Sequence, residues 1–331
     1  MLELTEISHG IWTFKLPMPS NPLKWLNCYV IKGGKSQRDL LVDTGFCIPE
    51  CQTALFYAMK ELEIEPDNTD IFLTHFHPDH TENAALLQKM GCRILMSEND
   101  RKLHMNIADA DESFGKRILK EGIPKKLFDS LVKIEKGRFS GRDSFVSEDV
   151  NDGDILRYGA YELRCISTPG HTPGHMILYE PSKKFVLTGD HILFDITPNI
   201  GVCKGFDNPL KAYMQSLETT RALEATIVLP AHRSYGLLPL KNRVDVLLHH
   251  HKERLSEILG ILDEQDALTA YNIAGNMMWR INANSWEEFP ALQKIHAINE
   301  TFAHLDYLIE EKKLLRENIN GNLVYRLARK D

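Results

Sequence analysis

The 331-residue sequence has no long apolar run. No stretch approaches the ~20 apolar residues that span a bilayer, so a membrane-spanning helix is not expected. The opening, Met1-Leu2-Glu3-Leu4-Thr5-Glu6, is acidic and lacks the apolar core of a signal peptide. The six cysteines, Cys28, Cys47, Cys51, Cys92, Cys165 and Cys203, include no C-x-x-C pair. In a chain of this length they read as buried thiols in a reducing compartment, not as a disulfide frame. A basic excess is missing too. There are 39 Lys plus Arg against 46 Asp plus Glu, a formal net charge of -7, which disfavours a nucleic-acid binder. Internal repeats and low-complexity tracts are also lacking. The expectation is a cytoplasmic globular protein with one large domain and a smaller one.

What is present begins with alternating strands and helices. Leu26 to Ile31 and Asp39 to Asp43 are short apolar runs separated by Gly33-Gly34, as in a hairpin. From Pro49 to Leu62 the apolar positions recur every three or four residues, which predicts a helix. Asp70 to Thr74 reads as a buried strand, and Thr81 to Met90 as a helix stopped by Gly91. Residues 99–150 are polar, charged and broken by Gly and Pro. They read as a helical insertion, with Leu103, Met105, Phe114, Ile118 and Leu119 available to line a pocket. Further strands are predicted at Tyr161 to Ile166, Met176 to Tyr179, Lys184 to Leu187 and Thr226 to Leu229, with a helix from Pro209 to Leu223 before the last. Two facing sheets with helices outside would bury such strands. After Leu240 the pattern turns helical: Leu240 to Gln265, Thr269 to Met278 and Trp286 to Lys313. A hairpin signalled by Asn320-Gly321 closes the chain. The division is therefore 1–240, carrying the insertion, and 241–331, a winged-helix-like module.

The strongest chemical signal is Thr74-His75-Phe76-His77-Pro78-Asp79-His80, placed between a buried strand and a helix. His75 and His77 are two apart and point the same way on extended chain. Imidazole and carboxylate suit borderline divalent metals. Four candidate ligands in six residues exceed what one catalytic ion needs, and two adjacent ions would explain the surplus. His171, in Thr168-Pro169-Gly170-His171, Asp190, in Leu187-Thr188-Gly189-Asp190, and His232, in Leu229-Pro230-Ala231-His232, each follow a predicted strand. Ligands from several strand ends can converge on one face.

With these motifs the sequence resembles the metallo-β-lactamase fold superfamily. His75, His77, Asp79 and His80 match its H-x-H-x-D-H signature, and His171, Asp190 and His232 follow in the family's order. Asn27-Cys28-Tyr29 and Leu41-Val42-Asp43-Thr44-Gly45 match lesser features. The resemblance implies an α/β fold, an αββα sandwich with a small C-terminal helical domain. It assigns His75, His77 and His171 to one metal and Asp79, His80 and His232 to the other, with Asp190 bridging. The tail resembles that of glyoxalase-II-like hydrolases and of a lactamase-like ribonuclease. Asp190 stands where some β-lactamases use cysteine, which favours the thioesterase, lactonase and nuclease side.

The expected activity is hydrolysis of a thioester or related ester, such as an acyl-thioester or lactone, by a metal-bridged hydroxide. Asp79 orients the nucleophile and passes a proton. The cofactors expected are two divalent ions, zinc first, with iron or manganese as alternatives. A ribonuclease is the alternative activity, and a non-haem iron sulfur oxygenase of the same fold is a third. Lys241 to Asp331 holds twelve Lys plus Arg against fourteen Asp plus Glu, so RNA affinity through counterion release would be weak. The partner is then a small-molecule ester, and the tail's helices are compatible with a homodimer. His175 and Asp43 read as supporting residues, His191 as pointing away, Tyr235 as an oxyanion donor or a packing residue, and His249-His250-His251 as a surface or interdomain patch.

Overall fold

The computed structural model describes all residues except 1, 20, 35, 36, 106–118, 131–142, 204, 282 and 329–331. The expected pocket residues Phe114 and Ile118 lie outside the described residues. The chain divides into two compact units. The first comprises Met1–Met105, Gly141–Pro198 and Ser216–Val244, and the second Asn106–Ser140, Asn199–Gln215 and Asp245–Asp331.

Two facing sheets build the first unit. The first sheet runs in the order β1 (Thr5–Ser8), β2 (Ile11–Pro17), β3 (Trp25–Ile31), β4 (Asp39–Val42), β5 (Thr69–Phe72), β6 (Arg93–Met96), β7 (Glu148–Asp149). The second runs β13 (Gly236–Leu237), β12 (Ile227–Pro230), β11 (Phe185–Gly189), β10 (Met176–Glu180), β9 (Tyr161–Ser167), β8 (Ile155–Tyr158). The pleat sends alternate residues to opposite faces. Tyr29, Ile31, Leu40, Val42, Phe72 and Leu95 face the second sheet's Leu163, Cys165, Met176, Leu178, Phe185, Leu187 and Leu229 in one apolar cluster. Their neighbours Cys28, Val30, Leu41, Ile71, Ile94 and Met96 pack on the other side with Ala54, Leu55, Ala58 and Leu87 of the covering helices. Strands buried on both faces read as continuous apolar runs, which is why Asp39 to Val42 and Asp70 to Phe72 were recognisable.

The helices on this outer face are α1 (Pro49–Glu61), α2 (Pro78–Thr81) and α3 (Ala84–Lys89), and α4 (Glu98–Met105) follows β6. The helix expected over Thr81 to Met90 is thus two pieces. They part at Asn83, whose side-chain amide donates to the carbonyls of Thr44 at 2.9 Å and Phe46 at 2.8 Å. Gly91 does stop the second piece, with φ 113°. Short strands β1, β2, β6 and β8 had no clear signature in the sequence. They are four to seven residues long, and Lys15 and Pro17 interrupt the apolar pattern of β2. Among the six free cysteines, Cys28, Cys51, Cys92 and Cys165 are buried as expected. Cys47 is exposed and Cys203 half-buried. No helix among the described residues is long and apolar enough to cross a membrane.

Helices α5 (Pro209–Arg221) and α6 (Leu240–Glu264) each begin in one unit and end in the other by residue number. In the second unit, α7 (Ala270–Asn276) is capped by Thr269, whose hydroxyl accepts from the Asn272 amide at 3.3 Å. Helix α8 (Ala291–Glu310) buries Ala297, Ile298, Phe302, Leu305 and Leu308. It starts five residues later than the apolar pattern suggests because Pro290 supplies a non-helical cap. The hairpin of β14 (Leu314–Ile319) and β15 (Asn322–Leu327) is present, and its Asn320 and Gly321 take φ 52° and 88°. Of the three residues expected to form a surface or interdomain patch, His251 instead packs inside the second unit. It is fully buried, and its Nδ1 lies 3.1 Å from His304 Nε2, while His249 is exposed.

Candidate metal centre

The three loops after β5, β9 and β11, and the turn after β12, meet at one end of the sandwich. Backbone bonds stitch them together. The Met176 amide donates to Thr74 O at 3.0 Å, Ala231 to Gly189 O at 3.0 Å, and Asn27 to Ala231 O at 2.6 Å. The first two join neighbouring loops, and the third ties an inner strand of one sheet to the strand end of the other. All seven residues singled out in the sequence arrive at this end.

Their ligand-type atoms form three groups. Those of His75, His77 and His171 lie within 4.8 Å of one another, as do those of His75, His80 and Asp190, and those of Asp79, His80 and His232. His77 Nδ1 lies 3.0 Å from His75 Nε2 and 2.9 Å from His171 Nε2. Asp190 faces both sides. Its Oδ1 is 3.4 Å from His232 Nε2 and 3.8 Å from His80 Nε2, while its Oδ2 is 3.6 Å from His171 Nε2. Asp79 Oδ2 is 3.4 Å from His232 Nε2 and 3.7 Å from His80 Nε2. His75, His80 and His232 are fully buried, whereas His77, Asp79 and His171 are partly open.

Surrounding hydrogen bonds leave imidazole lone pairs aimed at the centre. Asp43 accepts from His80 Nδ1 at 2.8 Å and from the Thr74 hydroxyl at 2.9 Å. With its proton on Asp43, the Thr74 hydroxyl accepts from His75 Nδ1 at 3.0 Å. His232 Nδ1 donates to Trp25 O at 3.0 Å. In each ring the opposite nitrogen, Nε2, points inward. This is the arrangement in which outer hydrogen bonds select the tautomer of a metal ligand. Asp43 therefore does support a candidate ligand, as the sequence suggested. His175 also supports the centre: its Nε2 accepts from the Asp190 amide at 3.1 Å, and its Nδ1 pairs with the Thr168 hydroxyl at 2.9 Å. Gly189 makes room for this contact, because a Cβ there would sit 2.8 Å from His175 Nε2. His191 pairs with Thr220, away from the centre, and Tyr235 packs edge-on against Tyr29.

The charges ask for a cation. Burial opposes a proton on His80, yet Asp43, Asp79 and Asp190 push its pKa up to about 10. Burial would raise the Asp79 carboxyl, but His80 and His232 hold it below its ordinary range. Burial lowers the pKa of His75, and the neighbouring His80, His77 and His171 lower it further. The buried atoms His80 Nε2, His232 Nε2 and Asp190 Oδ1 have no hydrogen-bond partner among the described residues. Buried polar atoms are costly when unpaired, so these three fit a divalent ion, which satisfies lone pairs without bringing a donor proton.

Asp100 was not recognised in the sequence, where it fell at the start of the insertion. It is fully buried in the first turn of α4. Its carboxylate accepts from the Phe76 amide at 2.9 Å, the Thr172 hydroxyl at 2.7 Å and the Gly174 amide at 2.6 Å. Burial pushes this carboxyl up to about 6 against the pull of those donors. The only local signal was the cap pattern Ser97-Glu98-Asn99-Asp100.

Comparison with known proteins identifies the family. The family model of the metallo-beta-lactamase superfamily matches residues 26–232. The atrochrysone carboxyl ACP thioesterase of Aspergillus fumigatus is 23% identical over 77% of this chain and 48% of its own length. Lactamase-like protein aptB of Emericella nidulans is 24% identical over 74% of this chain and 62% of its own. The chain thus spans only about half to three-fifths of these curated relatives. A metallo-beta-lactamase family protein from Thermus thermophilus superposes with a TM-score of 0.82 at 26% identity, covering 97% of this chain and all of that one. A beta-lactamase domain protein from Burkholderia ambifaria, 23% identical, shares the fold with a TM-score of 0.87 over 98% of this chain and 94% of its own. The matched span runs from the start of β3 to His232 and takes in all seven centre residues, and the chain belongs to the metallo-beta-lactamase superfamily.

Proposed function

We propose that the chain is a hydrolase with a dinuclear centre that acts on a thioester or related ester. His75, His77 and His171 would hold one divalent ion, Asp79, His80 and His232 the other, and Asp190 would lie between them. The single observation that carries this reading is Asp190, whose two oxygens face the two different sets of imidazoles. When bound, such ions bring water ionisation towards neutral pH and polarise a carbonyl oxygen. The protein's residues do the rest. Asp43, Thr74 and Trp25 orient the inner rings, and His175 orients Asp190. Asp79, anionic and partly open, aligns the attacking water and carries its proton to the leaving group. We read the second unit, with α7, α8 and the hairpin, as the winged-helix-like tail of the glyoxalase-II-like branch, with zinc as the resident metal. The named thioesterase among the relatives supports the substrate class, and the acidic balance of the tail argues against RNA.

The test is metal analysis of the purified chain, followed by turnover of acyl-thioesters, lactones, a β-lactam and single-stranded RNA. Thioester or lactone turnover is expected, and Asp79→Asn should lower kcat by roughly 10²- to 10⁴-fold. Asp190→Ala should lose metal and activity together. Two bound ions with no ester turnover would overturn the substrate assignment, and retained double occupancy in Asp190→Ala would overturn the bridging role.

A further inference from the structure

Two of the loops that carry the candidate ligands are held by a third segment that supplies no ligand. Phe76 lies between His75 and His77, and Thr172 follows His171. Both donate to the same oxygen, Asp100 Oδ2, from the Phe76 amide at 2.9 Å and the Thr172 hydroxyl at 2.7 Å. The second carboxylate oxygen, Oδ1, accepts from the Gly174 amide at 2.6 Å. Ser97, three residues before Asp100, donates its hydroxyl to Gly174 O at 2.6 Å and accepts from the Asp100 amide at 3.3 Å. The peptide groups flanking Gly174 are thus gripped on both sides. The fit leaves no space, because a Cβ on Gly174 would lie 2.2 Å from Ser97 Oγ and 2.6 Å from Asp100 Oδ1.

We propose that Asp100 is a positioning residue for one half of the metal centre: it holds the His77 loop and the His171 loop at the separation that brings their ring nitrogens together. The inference rests on the two-ion reading. The other half is oriented by different groups, Asp43 on His80 and the Trp25 carbonyl on His232, and none of the hydrogen bonds of Asp100 reaches them. A carboxylate suits the task because all three of its partners are donors. An amide in its place would turn an NH₂ toward at least one of them and force the loops apart.

The full-length chain, stripped with a chelator, is titrated with zinc, and zinc positions are read by anomalous scattering in crystals. In the wild type two ions are expected. In Asp100→Asn the affinity for the ion at His75, His77 and His171 should fall by roughly tenfold to a hundredfold, as for other groups that support metal ligands. The ion at Asp79, His80 and His232 should keep its affinity within about twofold, well inside the scatter of a distant substitution. Thr172→Val fills the same space, removes one donor, and should weaken the same ion by roughly threefold to tenfold. It serves as the reading if Asp100→Asn does not fold. Equal weakening of both ions, or no weakening of either, overturns the positioning role. A wild-type chain that binds a single zinc ion overturns the two-ion reading itself, and the proposal with it.

Discussion

Asp43 shows how much of a metal centre is decided by single side chains that contribute no ligand. It sits in the left-handed region, φ 61°, at the end of β4, where its two oxygens reach the Thr74 amide and hydroxyl and His80 Nδ1. Asp43→Asn keeps the shape but places an amide where His80 and Thr74 need an acceptor. Affinity for the ion proposed at Asp79, His80 and His232 should fall roughly tenfold to a hundredfold, measured by zinc titration. Unchanged affinity would show that the tautomer of His80 is fixed otherwise. The candidate ligands themselves were legible because four lie within six positions. Asp43 was legible through its family motif. Asp100 was not, since its donors lie 24, 72 and 74 residues away, and the cap pattern beginning at Ser97 does not mark a carboxylate that will be buried among them.

Elements were legible where burial gives a regular period. The inner strands and α1 follow their apolar patterns, whereas the break between α2 and α3 depends on Asn83 finding carbonyls 37 to 39 residues earlier. The β14–β15 hairpin was legible for a local reason: Asn-Gly meets the two left-handed positions of a two-residue turn. Gly321 has no heavy atom within 4 Å of an added Cβ, so the effect of Gly321→Ala is purely conformational. We expect a loss of about 1–2 kcal/mol in denaturant unfolding, the ordinary cost of a left-handed non-glycine residue. A neutral substitution would mean that the turn relaxes to another type.

At the level of the whole chain, buried histidines outside the metal centre couple stability to pH. In the second unit His304 Nδ1 donates to Glu300 O at 2.8 Å, so its Nε2 accepts from His251 Nδ1, and both rings are neutral. Glu300, Arg254 and His250 surround the pair, and Tyr213 stacks edge-on against His251. Burial lowers the pKa of both rings. Glu300 partly opposes this at His304, which falls to about 4, while His304 itself adds to the lowering at His251. The folded pKa values lie below the ordinary 6.5, so the unfolded chain binds protons first as pH falls. Stability is therefore full above about pH 6.5 and declines as pH falls below it, for His304 as far as about pH 4, by up to about 1.4 kcal/mol per pH unit for each ring. Urea unfolding at several pH values should show this slope, and His251→Phe should flatten it. Equal slopes in the two proteins would place the titration elsewhere.

The sequence by itself determined the fold class and singled out the candidate ligands, because ligand chemistry is written in residue type and the sandwich in apolar periodicity. Tertiary structure alone decided which imidazole faces which, that Asp190 presents one oxygen to each set, that His251 is buried, and that Asp100 clamps two loops. These depend on contacts between residues far apart in the chain, and side-chain pattern along the chain carries no record of the angle at which distant strand ends meet.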